Sequence, residues 1–146
     1  MIKFNEFGNL EDDLIITIDE FKKEFGYNAG RRSKIITLIK IIKIIRSFNC
    51  QSVYIGGSFI TTKEHPNDMD VCFDFRGIDT KSFMAQHYEL SSNKSLKKIH
   101  EVEGLHIFYF ISENTEILDW FRGDRYGNKR GLLKLTVKDF NDHDKE

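Results

Sequence analysis

The chain has 146 residues, 40% of them hydrophobic and 31% charged, with a formal net charge of -1. That length suits a single domain, 1–146, able to bury a core, and the composition is that of a globular chain rather than a disordered one. The near-zero charge excludes a global basic field for nucleic acid or membrane, so any anion binding falls to a local patch.

The opening "MIKFNEFGNLEDD" has neither an apolar signal core nor a cleavage site. Thr17 and Glu20 form a capping-box pattern, which predicts a short helix over "DEFKKEFG" that stops at Gly26; "YNAG" reads as a turn. From Arg31 to Ser47 the polar positions Lys34, Thr37, Lys40, Lys43 and Arg46 recur every three residues among isoleucines and Leu38. That pattern predicts a helix with a narrow solvent stripe and a wide buried face. Its apolar run, "IITLIKIIKII", is too short and, with Lys40 and Lys43, too charged to span a bilayer.

"SVYIGG" reads as a strand, "SFITTKEHPND" as a loop and "MDVCFDF" as a second strand, in which Asp70, Cys72 and Asp74 alternate with apolar residues. "DTKSFMAQHYEL" is helical, capped by Asp79 or Thr80, and "SSNKSLKKIHEVEG" is a polar, basic loop with a helical turn. "LHIFYFI" is a third strand, "NTEILDWFRG" a short helix ending at Gly123, with Trp120 and Phe121 in the core, and "DRYGNKRG" a basic turn. "LLKLTV" is a last strand or helix-like segment, and residues 139–146 form a frayed acidic tail. Helices interleaved with strands predict a mixed α/β (α+β) domain, with a mixed sheet of about four strands flanked by helices. Cys50 and Cys72 lie beside apolar residues without a Cys/His cluster, which reads as buried thiols in a reducing cytoplasm.

The chemistry concentrates in "VYIGGSFITTKEHPNDMDVCFDF". Asp68 and Asp70, two apart at a strand start, send both carboxylates to one face, where they repel unless a cation lies between them. Hard oxygen ligands at that spacing suit Mg²⁺. Gly56 and Gly57 leave the backbone uncrowded and Ser58 adds a hydroxyl. A helix starting there would turn N–H groups and its dipole toward phosphates. Singly, a Gly-Gly turn or an Asp-x-Asp strand end is more often structural. Together, each after or before a strand, they form the equipment for phosphoryl or nucleotidyl transfer.

Gly57-Ser58 followed by Asp68-x-Asp70 resembles the signature of the DNA polymerase beta-like nucleotidyltransferase superfamily. "DEFKKEFGYNAGRR", "GSFITTKEHPNDMD" and "DWFRGDRYGNKRGLLKL" further resemble a family of small bacterial and phage nucleotidyltransferase-like proteins with a GSFxTxKExPxDxD core. The resemblance implies a nucleotidyltransferase-like fold, in which Gly56, Gly57 and Ser58 hold a nucleoside triphosphate and Asp68 and Asp70 hold Mg²⁺ (or Mn²⁺). It implies transfer of a nucleoside monophosphate to a hydroxyl of a protein or RNA acceptor, in a toxin–antitoxin or phage-defence setting. The sequence departs from the pattern at Gly56, where an aspartate is usual, and at "EDDLII", where a proline-glycine-histidine element is expected. It also departs on the strand "LHIFYFI", where the third acidic residue of the superfamily is replaced by His106; Asp74, Glu101 and Glu103 are the other candidates for that role.

His106 is either a general base or a half-buried strand histidine. Lys63, between Ser58 and Asp68, either neutralises a phosphate or is a solvated loop lysine. Arg122, Arg125, Lys129 and Arg130 form the densest basic patch; Arg125 and Arg130 match the family's basic positions and either bind phosphate or solvate a turn. Arg31 and Arg32 begin a helix, where the dipole disfavours cations, which suggests a structural or substrate contact. Lys94, Lys97 and Lys98 read as a solvated face. Two further readings stand beside the transferase: a catalytically weakened nucleotide-binding or partner-binding module on the same fold, and a metal-dependent phosphohydrolase.

Overall fold

The structure is a computed structural model and describes residues 2–91, 100–124 and 126–137. Thr17 ends strand β1 (Leu14–Thr17) and caps helix α1 (Ile18–Phe25). Its hydroxyl accepts from the Glu20 N–H at 3.1 Å, and the Glu20 carboxylate accepts from the Thr17 N–H at 2.9 Å, the reciprocal pair the sequence predicts. Helix α2 (Ala29–Arg46) begins two residues before the expected Arg31. Asn28 is the reason: its side-chain oxygen accepts from the Arg31 N–H at 2.9 Å, so the second half of "YNAG" is the first turn of the helix. Ile35, Leu38, Ile41, Ile42 and Ile45 of α2 are buried, each worth roughly 1.5–3 kcal/mol.

The sheet has six strands rather than about four. Besides β1 they are β2 (Ser52–Gly56), β3 (Met69–Asp74), β4 (His100–Val102), β5 (Leu105–Phe110) and β6 (Leu133–Thr136), in the order β1-β6-β2-β3-β5-β4. The pairs β1/β6 and β3/β5 are parallel, while β2/β3, β2/β6 and β4/β5 are antiparallel. The two strands without a sequence signature, β1 and β4, are four and three residues long and lie at the two edges. Pairing supplied by the neighbouring strand is what makes them strands. "LLKLTV" settles as β6 for the same reason, held between β1 and β2.

Helices α1 and α2, with α3 (Thr80–Gln86, capped by Asp79), pack on one face of the sheet. Met69, Val71 and Phe73 of β3 join that core, while Asp70, Cys72 and Asp74 alternate onto the opposite face. There a smaller cluster of Cys72, Phe110, Phe121 and Leu132 forms beneath α4 (Glu116–Phe121). Trp120 is not in the core: it is 59% exposed, while Ile117, Leu118 and Phe121 are the α4 residues that pack on the sheet. Cys50 and Cys72 are buried free thiols, and burial pushes the Cys50 pKa up to about 12. Among the described residues no helix is long and apolar enough to cross a membrane. The expected helical turn after Ser91 and the tail at 139–146 lie outside the described residues, as do Lys94, Lys97 and Lys98.

Candidate functional site

Strand register builds the site. Gly56, Asp70 and His106 stand in one row across β2, β3 and β5, at the end where β2 finishes and β3 begins. The next row on that face is Tyr54, Cys72 and Phe108, apolar where α4 covers the sheet. Gly56 lies under Phe121 of α4, while Asp70 and His106 sit at the edge of that cover, partly exposed, and Asp68 joins them from the turn before β3. The Nδ1 of His106 is 3.3 Å from Asp70 Oδ1 and 3.8 Å from Asp68 Oδ2, and one ligand atom from each residue lies within 4.8 Å of the others. These three groups could hold a metal ion. Octahedral or tetrahedral coordination at about 2.1 Å brings neighbouring ligand atoms to about 3–3.5 Å, so a small inward movement completes the set. Burial, followed by the neighbouring Asp68 charge, raises the Asp70 pKa against the smaller opposing pull of His106 and Arg130. A cation would relieve that cost.

Two of the other acids proposed for the third position, Asp74 and Glu103, do not reach the site. Asp74 lies two rows' depth along β3 and is held by Arg76 at 2.8 Å. Glu103 sits in the β4–β5 turn with φ +48°, and its carboxylate accepts from Thr37 on α2, across the sheet. The side chain of Glu101 lies outside the described residues.

The two glycines are crowded rather than open. A Cβ on Gly56 would come within 2.7 Å of the Phe121 ring, and one on Gly57 within 2.7 Å of Asp70 Oδ2. Gly57 also has φ +74°, a conformation that costs other residues about 1–2 kcal/mol. The absence of side chains thus lets α4 lie flat on β2 and lets the Ser58 turn sit directly against the carboxylates. A single 3₁₀ turn, Gly57–Ile60, opens the segment that the sequence reads as a loop, so the helix that would aim its dipole at phosphates is one turn long. Thr61 stabilises it by donating its hydroxyl to the Ser58 carbonyl at 2.6 Å.

Arg31 holds this loop from behind. It is 1% exposed, and its guanidinium donates to the carbonyls of Phe25 (3.1 Å), Phe59 (2.7 Å), Thr61 (3.2 Å) and Lys63 (2.6 Å). Three of those acceptors, at positions 59, 61 and 63, belong to the 3₁₀ turn and the loop that leaves it, and the several N–H groups of one planar fork reach them all. The guanidinium also stacks on the rings of Tyr27 and Phe59 at 4.5 and 4.7 Å. Asn28 adds a donation to the Glu64 carbonyl at 2.8 Å. The cation at the start of α2 is therefore structural, its loop contacts outweighing the unfavourable dipole.

The carboxylates and the Ser58 turn open onto a cavity of about 840 Å³. Lys63 lines one side, exposed. Arg130 lines another and is 6% exposed, its Nε without an acceptor among the described residues. Burial lowers the Arg130 pKa, while Asp124 and Asp70 act in the opposite sense. Asp124 faces the same cavity. Desolvation pushes its pKa up, but donations from the Asn128 N–H, the Asn9 and Asn128 amides and the Tyr126 N–H prevail and hold it at about 2. Of the remaining basic patch, Arg122 is engaged with Asp13 at 2.6 Å, Lys129 is exposed away from the cavity wall, and Arg125 lies outside the described residues.

A family model matches residues 2–136, a span that includes every residue of the cluster and of the cavity wall. The chain belongs to a family of unknown function (DUF6932). No curated protein and no solved structure matches it. For this DUF6932 chain, the residues that sequence reading missed are Phe7, Asn9, Asp124 and Tyr126, together with Trp120, which was expected inside. None lies near the Asp-x-Asp motif in sequence, and no local pattern marks them. Asp124, two residues ahead of Tyr126 and four ahead of Asn128, carries the only signal, that of an acidic turn-former.

Proposed function

We propose that this protein is a metal-dependent nucleotidyltransferase, with a nucleotidyltransferase-like arrangement of sheet and helices. One observation carries the reading: Asp68 and Asp70, which cluster with His106, line the same cavity as the Gly57–Ser58 turn and the buried Arg130 guanidinium. Metal ligands on one side and anion-binding groups on the other are what a nucleoside triphosphate requires.

In this reading Ser58 and the glycine backbone bind the β and γ phosphates, and Arg130, with Lys63 at the rim, offsets their charge. Asp68 and Asp70 hold the cation, with His106 beside them. The ion, when bound, polarises the α-phosphate and stabilises charge on the departing pyrophosphate. The acceptor, a hydroxyl of a protein or RNA, loses its proton to a basic group of the cluster as the new ester bond forms. Two carboxylates and one imidazole suit Mn²⁺ at least as well as Mg²⁺, since nitrogen ligands favour the first-row metals over magnesium.

The test is incubation of the protein with each α-labelled triphosphate, Mg²⁺ or Mn²⁺, and a cell lysate, beside an Asp68→Asn/Asp70→Asn variant. Label on protein or RNA only with both carboxylates intact is the expected result. No transfer and no metal-dependent nucleotide binding would refute the reading. A second reading, a nucleotide-binding module with weakened catalysis, is favoured by His106 in the position of a third carboxylate. It predicts tight, metal-dependent nucleotide binding without transfer of label.

A further inference from the structure

Eight large hydrophobic residues are exposed in the described structure, and three of them, Phe7 (56%), Trp120 (59%) and Tyr126 (79%), line the one cavity that also holds Asp68, Asp70 and Arg130. All three are aromatic; Phe7 comes from a turn near residue 8, and Trp120 and Tyr126 from α4 and the turn that follows it. Each is carried on backbone that is pinned. Trp120 rests on Phe108 and Phe121, with ring centroids 5.6 Å apart in both pairs. The Tyr126 N–H donates to Asp124 Oδ1 at 2.9 Å. The Phe7 N–H donates to Asn5 Oδ1 at 2.9 Å, and the Gly8 carbonyl beside it accepts from the Thr62 N–H at 3.0 Å, tying this turn to the Ser58 loop.

Aromatic surface left in water is unfavourable and gathers where a ligand will cover it. The chemistry of the same cavity narrows that ligand. A buried arginine and a metal-ligand cluster call for an anion that also binds a cation, and the aromatic wall calls for a flat, apolar face on the same molecule. A lone phosphate lacks the face; an aliphatic chain lacks the anion. The volume of about 840 Å³ is in the range of small-molecule and cofactor sites.

We propose that Trp120, Tyr126 and Phe7 form the nucleobase subsite of this cavity, stacking the base of the nucleotide whose phosphates lie at Ser58, Arg130 and the metal cluster. The inference rests on the nucleotide reading of the site and adds what part of the ligand is recognised where. Stacking is tolerant of base identity, because every base offers a π-face, so the subsite discriminates weakly among the four triphosphates.

Trp120 is the single tryptophan of the chain, so its emission reports the subsite directly. Nucleoside triphosphate with Mn²⁺ is expected to quench that emission, and inorganic tripolyphosphate with Mn²⁺, which has no base, to bind without quenching. Calorimetry on Trp120→Ala and on Tyr126→Ala should show nucleotide affinity reduced at least about fivefold with tripolyphosphate affinity unchanged. Trp120→Phe, which keeps a ring, should retain most of the affinity, separating stacking from damage to α4. Nucleotide binding with unchanged emission, and with affinity equal to that of tripolyphosphate in every variant, overturns the subsite and leaves the phosphate–metal site standing. Quenching by a single-stranded oligonucleotide but by no mononucleotide overturns it too, assigning the wall to the acceptor. Binding of neither nucleotide nor tripolyphosphate defeats the nucleotide reading, and the subsite with it.

Discussion

Replacing Arg31 with methionine tests whether the loop beside the carboxylates is held from behind by one side chain. The guanidinium makes four donations, at 2.6 to 3.2 Å, to carbonyls of residues 25, 59, 61 and 63. Hydrogen bonds from a charged donor contribute about 1.5–3 kcal/mol each, so the gross gain is roughly 6–12 kcal/mol. Desolvating the cation costs several kcal/mol of this, in keeping with the lowering of the Arg31 pKa by burial. Methionine fills the volume but leaves the carbonyls without a donor, for a net loss of about 3–5 kcal/mol. In a domain of this size that lowers the melting midpoint by roughly 6–20 °C. Urea and thermal unfolding followed by circular dichroism measure it, with Arg31→Lys as the intermediate case because lysine keeps the charge but loses the fork and the stack on Tyr27 and Phe59. An Arg31→Met protein within about 1 kcal/mol of wild type would refute the reasoning, since so small a loss is what a surface arginine gives.

Gly57→Ala is expected to cost about 1–2 kcal/mol from its φ of +74° and, because the new Cβ would press on Asp70 Oδ2, to weaken Mn²⁺ binding as well. Unchanged Mn²⁺ affinity by calorimetry would contradict the close approach. Asp70→Asn should melt above wild type in chelator. Burial and Asp68 raise the folded-state pKa of Asp70, so stability falls as pH rises from its unfolded value through that raised one, and the penalty persists at neutral pH. Mn²⁺ should reverse the ranking by stabilising wild type alone, and a variant that melts lower in both conditions speaks against it. His106→Asp makes the ligand set all oxygen, and the ratio of Mg²⁺ to Mn²⁺ affinity should rise; a ratio that stays put would place His106 outside the coordination sphere.

The carboxylate pair and His106 were legible in the sequence because strand alternation is a local property. Once "MDVCFDF" and "LHIFYFI" are read as strands, Asp70 and His106 each take a definite face, and the parallel β3/β5 register does the rest. Edge strands β1 and β4 were not legible, since three or four residues carry too short a pattern to separate from loop. Arg31 appeared as an oddly placed cation, and only the loop folded over it shows what it holds. The far wall of the cavity was invisible for a simpler reason. Asn9 meets Asp124 at 3.2 Å across 115 positions, and no window of sequence contains both. Trp120 was misread because two adjacent aromatics at a helix end look equally apolar, while the geometry of the turn buries only Phe121.

The order of the strands has a consequence for biosynthesis. Among the described strands β1 comes first in the sequence, yet it pairs with β6, which comes last. Gly8, Asn9 and Leu10 likewise find Thr62, Asp124 and Gly131 as partners, so the amino-terminal segment waits for nearly the whole chain. A growing chain can assemble α2 with β2 and β3, and even bring Asp70 beside His106, before that segment docks. The cavity wall closes only when residues 7–9 meet residues 120–130, a long-range step of the kind that governs folding rates. A chain folded only as far as β5 would therefore hold Asp68, Asp70 and His106 together without the wall that Phe7, Asn9, Asp124 and Tyr126 complete.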